Sequence, residues 1–223
     1  MTEKITQKTL DRKSKEWMKR IEKFNIHKSP IDMDHSALLV IDMQKFFLDS
    51  KVPALVDPGN AILPNVKKLI DHYHRKGGQV IYTCHVHRPD GSDLGILEQW
   101  WDEHSIEGTD EARIHESIAP KTEDKVIHKH RYSAFYNTDL ELTLQSQQIE
   151  EVVICGVMTN ICCESTARDA FFRDIWVRFV ADATASVTEE MHVAALLNLA
   201  YAFAEVCLTE DILRGSSQNK QPV

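Results

Sequence analysis

Three side chains able to take part in nucleophilic chemistry stand at the ends of apolar runs: Asp42, Lys129 and Cys162. Asp42 closes the run 37–41, Lys129 closes 125–129, and Cys162 follows the run 151–155 and a Gly156-Val-Met-Thr159 turn. The positive end of a helix favours a thiolate, and a nearby ammonium favours it further. With Thr159 as N-cap, Cys162 takes the third helical position, where unpaired backbone N–H groups can receive an oxyanion. Asp42 could then accept the thiol proton and return it to a leaving nitrogen, while Lys129 holds Asp42 ionised. Taken singly, each residue has an ordinary explanation: a small buried cysteine, a turn aspartate, a solvated lysine. Their coincidence at strand ends is what points to a site. Cys163 lies about 100° further round the helix and is expected to face the packing.

These residues need a scaffold that brings strand ends together. Strands are expected at 37–41, 79–83, 125–129, 151–155, 176–180 and 205–208, and helices at about 60–76, 138–146, 160–173 and 188–203. The first helix carries Ile62, Val66, Leu69, Ile70 and Tyr73 on one side and stops at Gly77-Gly78. Strands alternating with helices of this length predict an α/β fold, a parallel sheet with helices on both faces. Ligands in such sheets bind beyond the carboxyl ends of the strands, where the three residues fall. Residues 1–34 read as an N-terminal helical extension, and 35–223 as a single domain. In the extension, Leu10, Trp17, Ile21 and Phe24 form one apolar stripe, expected to pack on the domain itself or on a neighbouring subunit. Residues 88–122 form a long polar excursion, a candidate lid or specificity loop. It contains Trp100 and Trp101, expected in packing rather than in a pocket wall.

Composition narrows the partners. A net charge of −8 over 223 residues leaves no general basic surface for nucleic acid. The first twenty residues lack the apolar core of a signal peptide, and no apolar run approaches the ~20 residues that cross a bilayer. Five cysteines without a metal-type C-x-x-C pair suit reduced thiols in the cytosol, so a cytoplasmic location is expected.

The segment Leu39-Val-Ile-Asp-Met-Gln44 resembles the first-strand motif of isochorismatase-like hydrolases. Lys129-His-Arg-Tyr-Ser-Ala-Phe135 is similar to their lysine motif, and Gly156-Val-Met-Thr-Asn-Ile-Cys-Cys-Glu-Ser-Thr-Ala-Arg-Asp-Ala170 to their cysteine motif. Order and spacing agree from about residue 36 to 210. The resemblance implies a 3-2-1-4-5-6 sheet, a homo-oligomer, and an Asp42–Lys129–Cys162 triad. It also implies a cis Val157–Met158 peptide, with the N–H groups of Met158 and Cys162 as oxyanion hole. Phe46, Tyr132 and Phe135 become candidate pocket walls.

Family members with the cysteine are mostly amidohydrolases on nicotinamide, N-carbamoyl compounds or ureides, and the segments 131–138 and 160–168 look closest to the ureidoacrylate and N-carbamoyl branch. The expected reaction is cleavage of a C–N bond in a small molecule without a cofactor. Nicotinamidases hold a divalent metal with Asp-x-His after the second strand; here His85 replaces the aspartate and His87 is retained. The two histidines are expected to contact substrate or a loop, with zinc ligation as the alternative. Two rival functions stand beside this one. One is isochorismatase-type vinyl ether hydrolysis, with Asp42 as acid. The other is a non-catalytic binding or assembly role with an unreactive Cys162.

Overall fold

Six parallel strands form one sheet in the order β3-β2-β1-β4-β5-β6. They are β1 (Ser36–Ile41), β2 (Gln79–His85), β3 (Lys125–Lys129), β4 (Glu151–Val157), β5 (Trp176–Ala185) and β6 (Glu205–Cys207). The computed structural model describes residues 3–49, 51 and 54–215; the segment 216–223, assigned above to the main domain, lies outside them. The strand order is the one the resemblance implies, and it places β1 and β4 side by side at the centre. Every residue of both strands is buried, which is why each reads as an unbroken apolar run instead of an alternating one.

The helices are α1 (Gln7–Ile21), α2 (Lys45–Leu48), α3 (Gly59–Lys76), α4 (Leu97–Trp100), α5 (Leu140–Ser146), α6 (Glu164–Phe171), α7 (Glu189–Ala202) and α8 (Thr209–Arg214). Helix α3 buries the five expected residues and ends in a left-handed Gly77 at φ 72°. The Gly78 N–H closes the end on Tyr73 O at 2.9 Å. Helix α1 packs against α3, β5 and α7 of its own chain, with Leu10, Trp17 and Ile21 buried. Burial of a side chain as large as Trp17 contributes about 3 kcal/mol.

Two elements differ from the sequence reading. Strand β5 runs on to Ala185, because Asp182 is buried and satisfied: its Oδ1 accepts from Thr209 N (2.7 Å) and Thr209 Oγ1 (2.9 Å). The helix expected at 160–173 is two pieces. Thr159–Cys163 is a wide π turn, in which Cys163 N–H reaches back five residues to Met158 O at 3.2 Å, and α6 follows it.

Gly156 sits where β4 presses on β1. A Cβ there would lie 2.0 Å from Ile41 O, and its φ is 118°. Gly156→Ala is therefore expected to cost about 3 kcal/mol, seen as a lower urea midpoint at unchanged slope. A midpoint equal to wild type would contradict this account of the β1–β4 contact.

Candidate active site

The carboxyl ends of β1, β3 and β4 converge on three buried side chains. Asp42, just beyond β1, takes a left-handed backbone (φ 49°), a conformation that aspartate tolerates better than most residues. Its N–H is held by Thr83 O at 3.2 Å, and its Oδ1 accepts from Thr83 Oγ1 at 2.6 Å. Its Oδ2 faces Lys129 Nζ at 2.7 Å, with both side chains fully buried. The ammonium also lies 3.4 Å from Cys162 Sγ and 3.4 Å from His85 Nδ1, and donates to Arg131 O at 3.1 Å. Carboxylate, thiol and imidazole surround a single cation.

Electrostatics decide the resting protonation. Burial lowers the Lys129 pKa, but the acidic groups beside it, Asp42 first, raise it more, and the net shift is upward. Lys129 is therefore an ammonium at neutral pH. Burial pushes the Cys162 thiol up to about 12; Lys129 opposes this and Asp42 adds to it. Desolvation thus outweighs the help of the neighbouring ammonium and favours the thiol form, which fits a thiol whose proton must be taken by a base. The Thr159 cap is corrected. Met158 is the residue flanking the turn, and the Thr159 hydroxyl turns away to His192 Nδ1 at 2.8 Å. The Val157–Met158 peptide is cis.

A chain of imidazoles leads outward from the ammonium. His85 Nδ1 faces Lys129, His85 Nε2 lies 3.1 Å from His87 Nε2, and His87 Nδ1 lies 3.3 Å from Asp93 Oδ1. One tautomer assignment satisfies every contact: His85 accepts from Lys129 and donates to His87, which donates to Asp93. Burial lowers the pKa of both histidines, well below the usual range for His85, so both are neutral.

Among the described residues, two groups have metal-like spacing, Asp42 with His85 and Cys162, and His87 with Asp93 and His130. Neither fits a resident ion. In the first, the Lys129 ammonium already fills the position between the three ligand atoms. In the second, His130 Nδ1, which lies 3.1 Å from Asp93 Oδ2, must carry a proton to bond Val86 O at 2.7 Å and has no lone pair for an ion. Dialysis against a chelator is thus expected to leave activity and Tm unchanged. Loss of either, restored by a divalent ion, would overturn this reading.

Residues 36–211 match the isochorismatase domain. The chain belongs to the isochorismatase family of hydrolases. It is 39% identical to Nicotinamidase 3 of Arabidopsis thaliana over 185 residues, covering 82% of this chain and 89% of that one. A cysteine hydrolase from Pseudomonas syringae pv. phaseolicola 1448A superposes with a TM-score of 0.81 at 30% identity, covering 84% of this chain and 94% of the other. N-carbamoylsarcosine amidase from Thermoplasma acidophilum gives 0.69 at 29% identity, covering 78% and 96%. Among the described residues, no helix of this family member is long and apolar enough to cross a membrane.

Of the candidate substrate contacts, His85 is brought against Lys129 and Cys162, and Tyr132 stands beside His85, their rings 6.3 Å apart. His87 is one step further out. Phe46 is buried edge-on to Phe47, and Phe135 is buried under the Arg173 guanidinium. Trp100 and Trp101 are exposed at 69% and 40%, so they are not core. Trp101 Nε1 donates to Tyr132 OH at 3.0 Å, which ties the long excursion to the site.

Sequence reasoning missed the groups that hold the site in place. Gln44 is fully buried, takes the His85 N–H at 2.7 Å, and donates to His85 O, Ser105 Oγ and Ala112 O. It pins the excursion to the ends of β1 and β2. A glutamine two residues beyond Asp42, inside an otherwise apolar motif, was the available signal. For Thr83, Asp93 and His130 the sequence offered none, because their roles depend on which strands are neighbours.

Proposed function

We propose that this isochorismatase-family hydrolase cleaves a C–N bond of a small amide, N-carbamoyl compound or ureide through an acyl-enzyme on Cys162. The observation that carries the proposal is the buried Asp42–Lys129 pair at 2.7 Å with the Cys162 thiol 3.4 Å from the same ammonium. A thiol held near a pKa of 12 needs a base, and Asp42 is the carboxylate beside it.

Asp42 takes the Sγ proton as sulfur attacks the substrate carbonyl carbon. The tetrahedral oxyanion is received by the N–H groups of Met158 and Cys162. Asp42 then gives its proton to the departing nitrogen, which leaves as ammonia or an amine, and a thioester remains. Water attacks the thioester, Asp42 takes the water proton, and that proton returns to Sγ as the acid departs. Lys129 stays charged throughout and offsets the negative charge that alternates between Asp42 and the sulfur. His85 and Tyr132, with Trp101 behind it, form one wall of the substrate site. Relatives named as a nicotinamidase and an N-carbamoylsarcosine amidase support the amide class.

The test is ammonia release from a panel of small amides, N-carbamoyl amino acids and ureides. Release by wild type that disappears in Cys162→Ala is the expected result. No release from any member, together with no acyl adduct on Cys162 by mass spectrometry, would count against the proposal. It would favour ether cleavage or a non-catalytic role.

A further inference from the structure

We propose that His192, braced by Trp17 of the N-terminal helix, is a positioning residue that fixes the turn carrying Cys162. The inference rests on Cys162 being the nucleophile. Its outer end, on the N-terminal helix, lies outside the matched domain, which begins at residue 36.

The brace is continuous from α1 to the turn. Lys13 and Trp17, one helical turn apart on α1, hold the two carboxylate oxygens of Glu189: Lys13 Nζ lies 2.5 Å from Oε2, and Trp17 Nε1 donates to Oε1 at 2.7 Å. Glu189 opens α7, and His192 lies one turn further along it. The His192 ring lies 4.4 Å from the Trp17 ring, and both residues are 1% exposed. On its other side, His192 Nδ1 meets Thr159 Oγ1 at 2.8 Å, and Thr159 is fully buried. Its Nε2 has no hydrogen-bond partner among the described residues, so Thr159 is the ring's hydrogen-bonding anchor. Burial lowers the His192 pKa to about 3, which makes the contact a fixed neutral hydrogen bond and not a proton switch.

A threonine at a helix start ordinarily turns its hydroxyl back onto the N–H groups of its own helix. Thr159 reaches across to α7 instead. The first residue of the π turn is therefore placed by a tertiary contact, and Cys162 follows three residues later. Attack on a carbonyl demands sulfur within a few tenths of an ångström of its productive place. A turn that is not capped locally takes that precision from His192, and His192 takes its own from Trp17.

The test uses the full-length chain with Thr159→Val, Thr159→Ser, His192→Phe, Trp17→Phe and the double variant Thr159→Val/His192→Phe. Cys162→Ala serves as the control. Readouts are kcat and KM on the best amide of the panel, the rate at which iodoacetamide alkylates Cys162, and Tm. Thr159→Val is expected to lower kcat about tenfold with KM within about twofold, and to shift the alkylation rate with it. Thr159→Ser, which keeps the hydroxyl, should recover most of the loss. The double variant should be no worse than the poorer single one, since both break the same contact. Trp17→Phe keeps the ring and loses the donor; about a threefold fall in kcat is expected.

Thr159→Val with wild-type kcat and alkylation but a lower Tm would make the contact merely structural and overturn the inference. An unaffected Trp17→Phe would overturn the part assigned to the N-terminal helix. Activity persisting in Cys162→Ala would overturn the nucleophile reading and this inference together. An inactive Cys162→Ala beside an unimpaired Thr159→Val would sink this inference alone.

Discussion

Cys162→Ala is expected to lower amide turnover by about 10⁴-fold or more while leaving the fold intact. On the proposed mechanism alanine removes the sulfur that forms the thioester, and neither Asp42 nor Lys129 can replace it at the carbonyl carbon. The loss should fall in kcat, because the missing interaction is covalent and arises only after binding. The fold should survive, because the Asp42–Lys129 pair and the sheet around it keep their partners. Wild-type enzyme quenched during turnover should carry the acyl mass on the peptide containing Cys162, and the variant should not. Activity within about tenfold of wild type in the variant would instead assign the chemistry to Asp42 acting as an acid, as ether cleavage requires.

Asp42→Asn should damage both activity and stability. Asparagine can still accept from Thr83 Oγ1, but its Nδ2 would set a donor against Lys129 Nζ where Oδ2 stood, so the counter-charge and its acceptor are both lost. Activity should fall at least about 10³-fold, since no base remains to take the thiol proton. Lys129 would then be a fully buried ammonium without a counter-charge, at a cost of about 3–5 kcal/mol.

The pH dependence carries the sign. In wild type the Lys129 pKa is raised above 10.5, so its contribution to stability is fully present below that pH and is lost as pH rises through the folded value. In Asp42→Asn burial has no opposing carboxylate, and the folded pKa falls below the unfolded one. The unfolded chain then binds more protons, so stability should rise with pH from neutrality towards 10.5. Chemical denaturation at pH 7 and pH 9.5 distinguishes the two cases. A variant whose stability is the same at both pH values would contradict the account of Lys129.

Much of this could be read from the chain because parallel strands announce themselves. Buried on both faces, β1 and β4 are unbroken apolar runs, and their ends identify Asp42 and the approach to Cys162 directly. Lys129 was found in the same way, although its role as the hub of four contacts depends on β3 reaching the site across β2. Properties set by burial were out of reach. The upward push on the Cys162 thiol follows from its burial, which helix-start arguments do not contain. The π turn, the Asp182 seat inside β5 and the Gln44 clamp each depend on partners far away in sequence. The sequence periodicity of α1 correctly gave a packed face, but not the residues of α7 that it meets.

The ammonium among Asp42, His85 and Cys162 has one further consequence. A metal in that position would be a separate solute, with its own supply, its own rate of loss and competitors for its ligands. Lys129 is delivered by the same synthesis that makes its partners, and it cannot be exchanged or withdrawn. Once β3 has paired with β2, β2 with β1 and β1 with β4, the charge is in place at unit stoichiometry, and this position needs no loading step.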